Sequence, residues 1–253
     1  MDLIVAESCK AAAIVARAVI DQLRASPASV LGLATGATME AVYGQLRNRF
    51  RAGHVSFASA TSFNLDEYIG LPPSHPGSYR STMQRLLFEA VDIDLAKLYL
   101  PDSAAERPDT EADRYECLIR TSGGIDLQLL GIGRNGHIGF NEPGSPLDSR
   151  TRVVTLAEET RDANRQFFPP GEQVPGEAVT MGVATILDAR KIVLLAIGIE
   201  KAEAVAAMIS GPISTACPAS ALQRHSDVLV VADPAAASLL RNQQLKLLDE
   251  IEG

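Results

Sequence analysis

Short apolar runs alternate along this chain with longer stretches in which apolar residues recur every three or four positions. The runs predict buried strands at residues 30–34, 60–65, 126–132, 191–198 and 228–232, with a shorter strand at 153–156. The longer stretches predict helices at residues 8–23 (with Ser8 as N-cap), 38–50, 79–88, 110–121, 160–168, 183–188, 200–209 and 234–249. This alternation is typical of an α/β protein with a mainly parallel sheet.

The element order predicts one domain over residues 1–253. We expect a single open, mainly parallel sheet with helices on both faces, a Rossmann-like arrangement. The chain has 253 residues, of which 46% are hydrophobic, and this is enough for a substantial core. No internal repeat, low-complexity tract or linker interrupts the pattern.

The formal net charge of −8 argues against a nucleic-acid or membrane-surface role, because both usually need a basic patch. The three cysteines form no CxxC pair and are expected to be buried or half-buried thiols of a reducing compartment. The first ten residues (MDLIVAESCK) do not have the pattern of a signal peptide. A cytoplasmic protein is therefore expected.

Four polar clusters lie directly after predicted strands. They are residues 35–38 (TGAT), 66–68 (DEY), 133–137 (GRNGH) and 199–201 (IEK). In an open parallel sheet the carboxyl ends of the strands share one edge, and ligands bind in the crevice outside it. The four clusters are therefore expected to converge on one site.

Each cluster has a structural interpretation as well as a chemical one. Residues 35–38 join a strand to a helix, so they could bind an anion or simply form a capped turn. Asp66 could take a proton from carbon, or it could be a solvated turn acid. Lys201 could bind a phosphate as a point charge, or it could be an ordinary surface lysine.

Residues 131–136 (GIGRNG) match the GxGxxG dinucleotide pattern, but a proline-containing loop (HIGFNEPGSP) follows them. Because that pattern should open a helix, a dinucleotide site is not predicted. His137 and Glu142 in this loop could transfer protons, or His137 could be purely structural. The chain has only four histidines and no HExxH motif, so no metal site is expected.

Five segments carry a more specific signal. LGLATGAT, FNLDEYIGLPPSHPGSY, LLGIGRNGHIGFNEPGSPLDSRT, AVTMGVATILDARKIVLL and PASALQRHSDV run from about residue 31 to residue 233. Together they resemble the glucosamine-6-phosphate deaminases, in the short branch without elaborate allosteric control. The resemblance implies conversion of glucosamine 6-phosphate and water to fructose 6-phosphate and ammonia, by ring opening and aldose–ketose isomerisation. It also implies that no cofactor is needed.

The same resemblance implies residue roles. Asp66 removes the C2 proton, while His137, oriented by Glu142 and in one network with Asn135, opens the sugar ring. The phosphate group is bound by Thr35, Gly36, Ala37, Thr38 and Lys201, and by either Arg165 or Gln166. Gln166 stands where the family has an arginine, Ala37 where it has a glycine and Met39 where it has a proline. Val154 and Pro146 replace a lysine and a serine of allosteric relatives, so activation of that kind is not expected.

The expected partner is a small amino-sugar phosphate, and the sequence leaves monomer or homo-oligomer undecided. Two rival functions remain. One is a related hydrolase such as a 6-phosphogluconolactonase, which would not need Asp66 as a carbon base. The other is a sugar-phosphate sensor that binds without reacting, although sensors usually carry a DNA-binding helix pair and a basic surface.

Overall fold

The computed structural model describes residues 1–240 and 246–247, and its centre is a parallel sheet. The strands of this sheet are β1 (Asp2–Val5), β2 (Val30–Leu33), β3 (Thr61–Asn64), β5 (Leu98–Tyr99), β6 (Leu127–Gly131), β9 (Lys191–Ala196), β10 (Val228–Ala232) and β11 (Lys246–Leu247). They lie in the order β11-β1-β10-β9-β6-β2-β3-β5, and every neighbouring pair is parallel. The expected open parallel sheet is confirmed.

Seven α-helices of the described residues pack around this sheet. They are α1 (Ser8–Ala25), α2 (Ala37–Arg51), α3 (Tyr79–Leu86), α4 (Pro108–Thr121), α5 (Glu158–Asn164), α6 (Val183–Leu187) and α7 (Ala202–Ser210). The first helix shows why they dock: its buried positions recur at the spacing of one helix face, from Ala11 and Ala12 through Val15, Ala16 and Val19 to Leu23. No described helix is long and apolar enough to cross a membrane.

A second, antiparallel sheet lies apart from the main one. It contains β4 (Asp66–Tyr68), β7 (Arg152–Thr155) and β8 (Glu177–Thr180), in the order β4-β8-β7. Its register places Asp66 and Arg152 on either side of Thr180. Because directly paired residues in antiparallel strands project from the same face, these three side chains share one face.

The predicted elements within residues 8–232 are confirmed to within a few residues, with one qualification. The helix expected over 160–168 is α5 followed by a single 3₁₀ turn at Arg165–Phe167. The strand expected at 153–156 exists as β7, but it belongs to the small sheet. Ser8 is the first helical residue rather than the N-cap, and its hydroxyl donates to Asp233 at 3.0 Å.

Two predictions are wrong. The helix expected over 234–249 does not form in residues 234–240, which make turns, and 246–247 form β11. The remainder of that range lies outside the described residues. Cys9 and Cys117 are exposed rather than buried, because they lie on the outer faces of α1 and α4; only Cys217 is buried.

Candidate active site

Four consecutive strands of the main sheet carry the polar clusters at their carboxyl ends. The neighbours β9, β6, β2 and β3 are followed by residues 199–201, 133–137, 35–38 and 66–68, respectively. The chain leaves β2 toward β3 on one side and β6 toward β9 on the other. The β2/β6 boundary is therefore a topological switch point, which is where open α/β sheets form ligand crevices. The predicted placement of the four clusters at one edge of the sheet is confirmed.

Asp66 is a buried carboxyl group at the base of this region. The residue is 5% exposed, which is much less than expected for a solvated turn acid. Burial raises the pKa of Asp66 to about 8, the neighbouring Glu67 adds to the rise, and the Phe140 backbone N–H opposes it. A carboxyl group with this pKa is a stronger base than an exposed one, so it suits proton abstraction near neutral pH.

Glycine at position 139 allows the 133–142 loop to approach Asp66. A Cβ atom built there would lie 3.3 Å from Asp66 Oδ2 and 3.2 Å from the Thr180 hydroxyl. Gly139 also has φ of +55°, which an L side chain rarely adopts. The loop that carries His137 therefore approaches the Asp66 carboxyl group at Gly139, two residues after His137.

Glu67 has a structural role at the start of α3. Its carboxylate accepts the backbone N–H groups of Tyr68, Tyr79 and Arg80 at 2.9–3.0 Å. Two of these donors belong to the first turn of α3, where N–H groups have no partner within the helix and a negative charge is favoured. Glu67 thus fixes α3 against β4 and places a second carboxyl group next to Asp66.

His137 is paired with Asn135. The Nδ1 atom of His137 lies 2.8 Å from Asn135 Oδ1. Since a carbonyl oxygen only accepts, this geometry assigns the proton to Nδ1 and leaves Nε2 with a free lone pair. Burial, with a contribution from the Lys201 charge, lowers the pKa of His137 to about 4. The imidazole is therefore neutral at pH 7 and can accept a proton at Nε2.

The absence of a side chain at Gly133 sets the position of the imidazole. A Cβ atom there would lie 2.2 Å from His137 Nδ1 and Cε1. The Gly133 N–H donates to the His137 carbonyl at 2.9 Å, which closes the loop on itself. No helix follows this glycine segment, as expected when the dinucleotide interpretation was set aside.

Within the described residues Glu142 makes no hydrogen bond with His137, which corrects the expected pairing. Its Oε1 accepts a short hydrogen bond from the Thr160 hydroxyl on α5. The chain turns between positions 137 and 142, where Asn141 is anchored by donating to Ile138 O and Met181 O. That turn carries Glu142 toward α5, so the neighbour that orients His137 is Asn135.

Residues 35–38 form the N-terminal turn of α2. Gly36 is the N-cap with φ of +120°, and Ala37 begins the helix with ordinary helical geometry. Alanine at position 37 therefore causes no backbone strain, because the positive φ falls one residue earlier. Met39, where relatives have proline, is buried at 1% exposure and faces Gly131 at the end of β6.

A cavity of about 210 Å³ opens beside this turn. Its walls include Thr35 and Gly36, the α3 residues Thr82 and Arg85, and Phe167 of the segment after α5. Neither Arg165 nor Gln166 lines it. The guanidinium group of Arg165 pairs with Asp162 at 2.9 Å, and the Gln166 side chain donates to Ala163 O at 2.9 Å.

Lys201 lies on the opposite side of the switch point from this cavity. It ends a single 3₁₀ turn after β9, and it is half-buried. Burial lowers the pKa of Lys201, with a further contribution from Arg134, while Glu200 opposes the change. The positive charge of Lys201 also contributes to the lowered pKa of His137, so the two side chains interact electrostatically.

Three side chains of this region were not singled out from the sequence. Glu67 is the second acid of the DEY cluster, where Asp66 was the candidate base, and Arg85 lies in a helix that contains no motif. Asn64 at the end of β3 is 1% exposed, and neither atom of its amide has a protein partner within the described part of the chain. The adjoining NLDEY pattern is the only sequence signal that could have directed attention to Glu67 or Asn64.

Among the residues that the structure describes, no group of three or more His, Cys, Asp or Glu side chains could hold a metal ion.

Comparison with known proteins connects this geometry to a family. The model of the glucosamine-6-phosphate isomerases/6-phosphogluconolactonase family matches residues 6–231. A glucosamine-6-phosphate deaminase of Rhodopirellula baltica is 54% identical over 237 residues, which are 94% of each chain. A solved monomeric glucosamine-6-phosphate deaminase is 46% identical with a TM-score of 0.92, and the match covers 94% of this chain and 100% of that one.

A more distant structural match shares only the fold. The 6-phosphogluconolactonase of Trypanosoma brucei has a TM-score of 0.76 and 21% identity, over 95% of this chain and 99% of that chain. At this level of identity the match shows that the two chains have the same architecture. Function has to be argued from the side chains of the site.

Proposed function

We propose, from the premise that this chain belongs to the family of glucosamine-6-phosphate isomerases and 6-phosphogluconolactonases, that it is a glucosamine-6-phosphate deaminase. It converts glucosamine 6-phosphate and water to fructose 6-phosphate and ammonia. The observation that carries the proposal is one loop that presents a neutral His137 and closes over the buried carboxyl group of Asp66. Two bases of different strength serve two successive proton transfers.

Ring opening is assigned to His137. Its Nε2 atom takes the proton of the C1 hydroxyl group and returns a proton to the ring oxygen, which gives the open-chain aldehyde. Asn135 supports the step by accepting a hydrogen bond from Nδ1–H, so that Nε2 stays the basic atom. Glu142 is a positioning residue in this scheme, because its hydrogen bond to Thr160 fixes the end of the loop.

Isomerisation is assigned to Asp66. Its carboxylate removes the C2 proton of the open chain, and the electron pair forms an enolamine. Return of a proton to C1 gives the ketose imine, and addition of water followed by loss of ammonia gives fructose 6-phosphate. The bond changes are proton transfers, one hydration and cleavage of the C–N bond that releases ammonia, so side chains and water suffice and no cofactor is required.

The phosphate group is assigned to the first turn of α2. Free backbone N–H groups and the helix dipole favour an anion there, and the hydroxyls of Thr35 and Thr38 add donors. Lys201 contributes a positive charge near the imidazole end of the crevice. Arg85 takes the part that Arg165 or Gln166 was expected to play, since it shares the cavity with Thr35 and Gly36 and has no ion pair among the described residues.

This assignment of the arginine can be tested with matched variants. Arg85→Gln should raise KM for glucosamine 6-phosphate by about tenfold to a hundredfold, because a charge-assisted hydrogen bond contributes about 1.5–3 kcal/mol. Arg165→Gln is the control, and its KM should stay within about twofold of the wild-type value because exposed ion pairs contribute little. A rise in KM in Arg165→Gln but not in Arg85→Gln would show that Arg165 binds the phosphate group.

A coupled assay for ammonia and fructose 6-phosphate tests the function itself. Asp66→Asn should lower kcat by about 10²–10⁴, the range for a positioned proton-transfer group, and abolish solvent-deuterium exchange at C2. His137→Gln should impair the cyclic substrate far more than an open-chain analogue. Hydrolysis of 6-phosphogluconolactone without ammonia release would favour the lactonase, and binding without turnover would favour the sensor.

A further inference from the structure

A second cavity, larger than the one beside α2, lies at the edge of the main sheet. It has a volume of about 430 Å³ and is formed by β5 with its following loop, by the start of α3 and by the middle of α4. None of the residues assigned to the reaction lines it. Its walls are Pro73, Arg80, Arg114 and residues 98–103.

Two arginines line this cavity, and the guanidinium group of each has N–H groups without a protein partner among the described residues. Arg114 binds Glu111 through Nε at 2.6 Å and Nη2 at 2.7 Å, which leaves Nη1 without a protein partner in the described part of the chain. Arg80 is half-buried, and within the described residues its side chain has no hydrogen bond and no carboxylate within 4 Å. Arginine forks match the geometry of phosphate and carboxylate groups.

The acidic groups around the cavity limit which ligands fit. Glu111 is 6% exposed at its side chain, and its two oxygens are occupied by Arg114 and by the Asp102 N–H. It therefore offsets the charge of Arg114, whereas Arg80 has no ion pair within 4 Å in the described part of the chain and interacts with Glu67 only at longer range. Asp102 is exposed, and one of its oxygens accepts the Ala104 N–H. A ligand with one anionic group at the arginines and hydroxyl groups toward Asp102 satisfies both charges.

We propose that this cavity is an accessory binding site for a small hydroxylated phosphate ester, separate from the proposed catalytic crevice. Its volume lies in the range typical of small-molecule sites, about 300–1,000 Å³. Leu98 and Leu100 add apolar surface to the walls of this open cavity. The site also adjoins the reaction machinery, since the backbone N–H of Arg80 donates to Glu67 at 2.9 Å. A bound ester would thus hold the first turn of α3, whose backbone N–H groups bind Glu67, the residue next to Asp66.

Hydrogen-exchange mass spectrometry with glycerol 3-phosphate as the probe tests this site, with glycerol as the uncharged control. In the wild-type protein, millimolar glycerol 3-phosphate should protect residues 98–104 and 79–83, and glycerol should not. Arg80→Gln should raise the apparent Kd for this protection by about tenfold or more, as expected for one charge-assisted hydrogen bond. Arg107→Gln, an exposed arginine that precedes α4 and does not line the cavity, should leave the Kd within about twofold.

The readout separates this site from the proposed phosphate site at α2. Protection of residues 35–39 reports the latter and should persist in Arg80→Gln, whose fold is checked by circular dichroism. Arg80→Lys keeps the charge without the fork and should weaken binding less than Arg80→Gln does. Protection confined to residues 35–39, or equal protection of 98–104 in Arg80→Gln and the wild type, would overturn the accessory site and leave the proposed function standing.

Discussion

The carboxyl group of Asp66 connects the proposed chemistry to the stability of the fold. Its folded-state pKa of about 8 lies above the ordinary value of 3.8. The folded protein therefore keeps a proton that the unfolded chain releases at lower pH. The resulting stabilisation is fully present below about pH 4 and is lost progressively as the pH rises through 8. Burial of this base is thus a destabilising feature at the pH where the base is ionised.

Asp66→Asn is expected to make the protein more stable at pH 8–9 while it removes activity. The free energy of unfolding should increase by about 1–3 kcal/mol at this pH. This is less than the full pKa shift would give at about 1.4 kcal/mol per pKa unit, and the increase should vanish below pH 4. Urea denaturation at several pH values measures it. Asp21→Asn, an exposed partner of Arg17, is the control and should change stability by less than about 0.5 kcal/mol. A gain that is constant with pH would contradict the assigned pKa.

Gly133→Ala tests whether the imidazole position depends on this glycine. The new Cβ would overlap the His137 ring at 2.2 Å, so the ring must move from its position next to Asn135. We expect kcat on the cyclic substrate to fall by at least about tenfold, toward the range for loss of a positioned proton-transfer group. Gly44→Ala in α2, where the nearest atom is 3.9 Å away, should leave kcat unchanged and stabilise the helix by about 0.5–1 kcal/mol.

At this scale the sequence identified candidate side chains but not all of their hydrogen-bond partners. Asp66 and His137 could be recognised because they follow strands and belong to specific motifs. The pairing of His137 with Asn135 could not, because it depends on how the glycine loop curls back from Gly133. Glu142 was the more obvious candidate, but the anchoring of Asn141 turns the chain away before it. Hydrogen-bond partners inside a loop are set by tertiary contacts that spacing does not encode.

At the scale of elements, the segment of residues 157–174 is held over the crevice by one aromatic anchor. Phe168 packs in a small apolar cluster with Tyr68, Phe140, Leu156, Val174 and Ala178. Its ring lies 5.5 Å from that of Tyr68, and Gly77 leaves room for it, since a Cβ there would come within 2.7 Å. His75 adds a contact to Glu172 at 2.6 Å. This segment is therefore fixed by few contacts outside the main core.

Phe168→Ala should release that segment without unfolding the rest of the protein. Because the cluster is separate from the main core, hydrogen exchange should accelerate in residues 157–174 and stay unchanged in the strands β6 and β9. KM for the sugar phosphate should rise, since Phe168 also lines the cavity beside α2. Phe167→Ala, at an adjacent side chain that is 42% exposed, should leave exchange of the segment unchanged. Acceleration throughout the chain would mean that the two clusters unfold together.

Element prediction failed where strands were short or polar. The strands β4 and β5 have three and two residues, respectively, and β8 (EAVT) was passed over, because pairing rather than apolar length defines such strands. Long buried strands such as β9 were found because both faces of a parallel sheet are covered, which leaves a continuous apolar run. The turns after β10 were mistaken for a helix. There Asp233 accepts the N–H of Ala236, and the chain does not continue as a helix.

For the whole molecule, the alternation of elements was sufficient to predict the parallel sheet and the edge at which the site forms. It did not predict the small antiparallel sheet, which brings Asp66, Thr180 and Arg152 onto one face from three distant parts of the chain. That sheet couples the Asp66 carboxyl group to Arg152 and Thr180, which lie 86 and 114 residues further along the chain. Ligand binding at the crevice should therefore stabilise the chain as a unit and not one loop alone.

Fructose 6-phosphate, the proposed product, should raise the melting temperature. A ligand that binds only the folded state at a hundred times its Kd stabilises it by about 2.7 kcal/mol. In a chain of 253 residues, 1 kcal/mol shifts the melting temperature by about 2–4 °C, so a shift of about 5–10 °C is expected. Fructose should give no shift, because it lacks the phosphate group that the proposed site at the first turn of α2 would bind. Thr35→Val should reduce the shift, whereas the nearly isosteric exposed-site control Thr121→Val on α4 should not. Equal shifts with fructose and fructose 6-phosphate would show that the crevice does not recognise the phosphate.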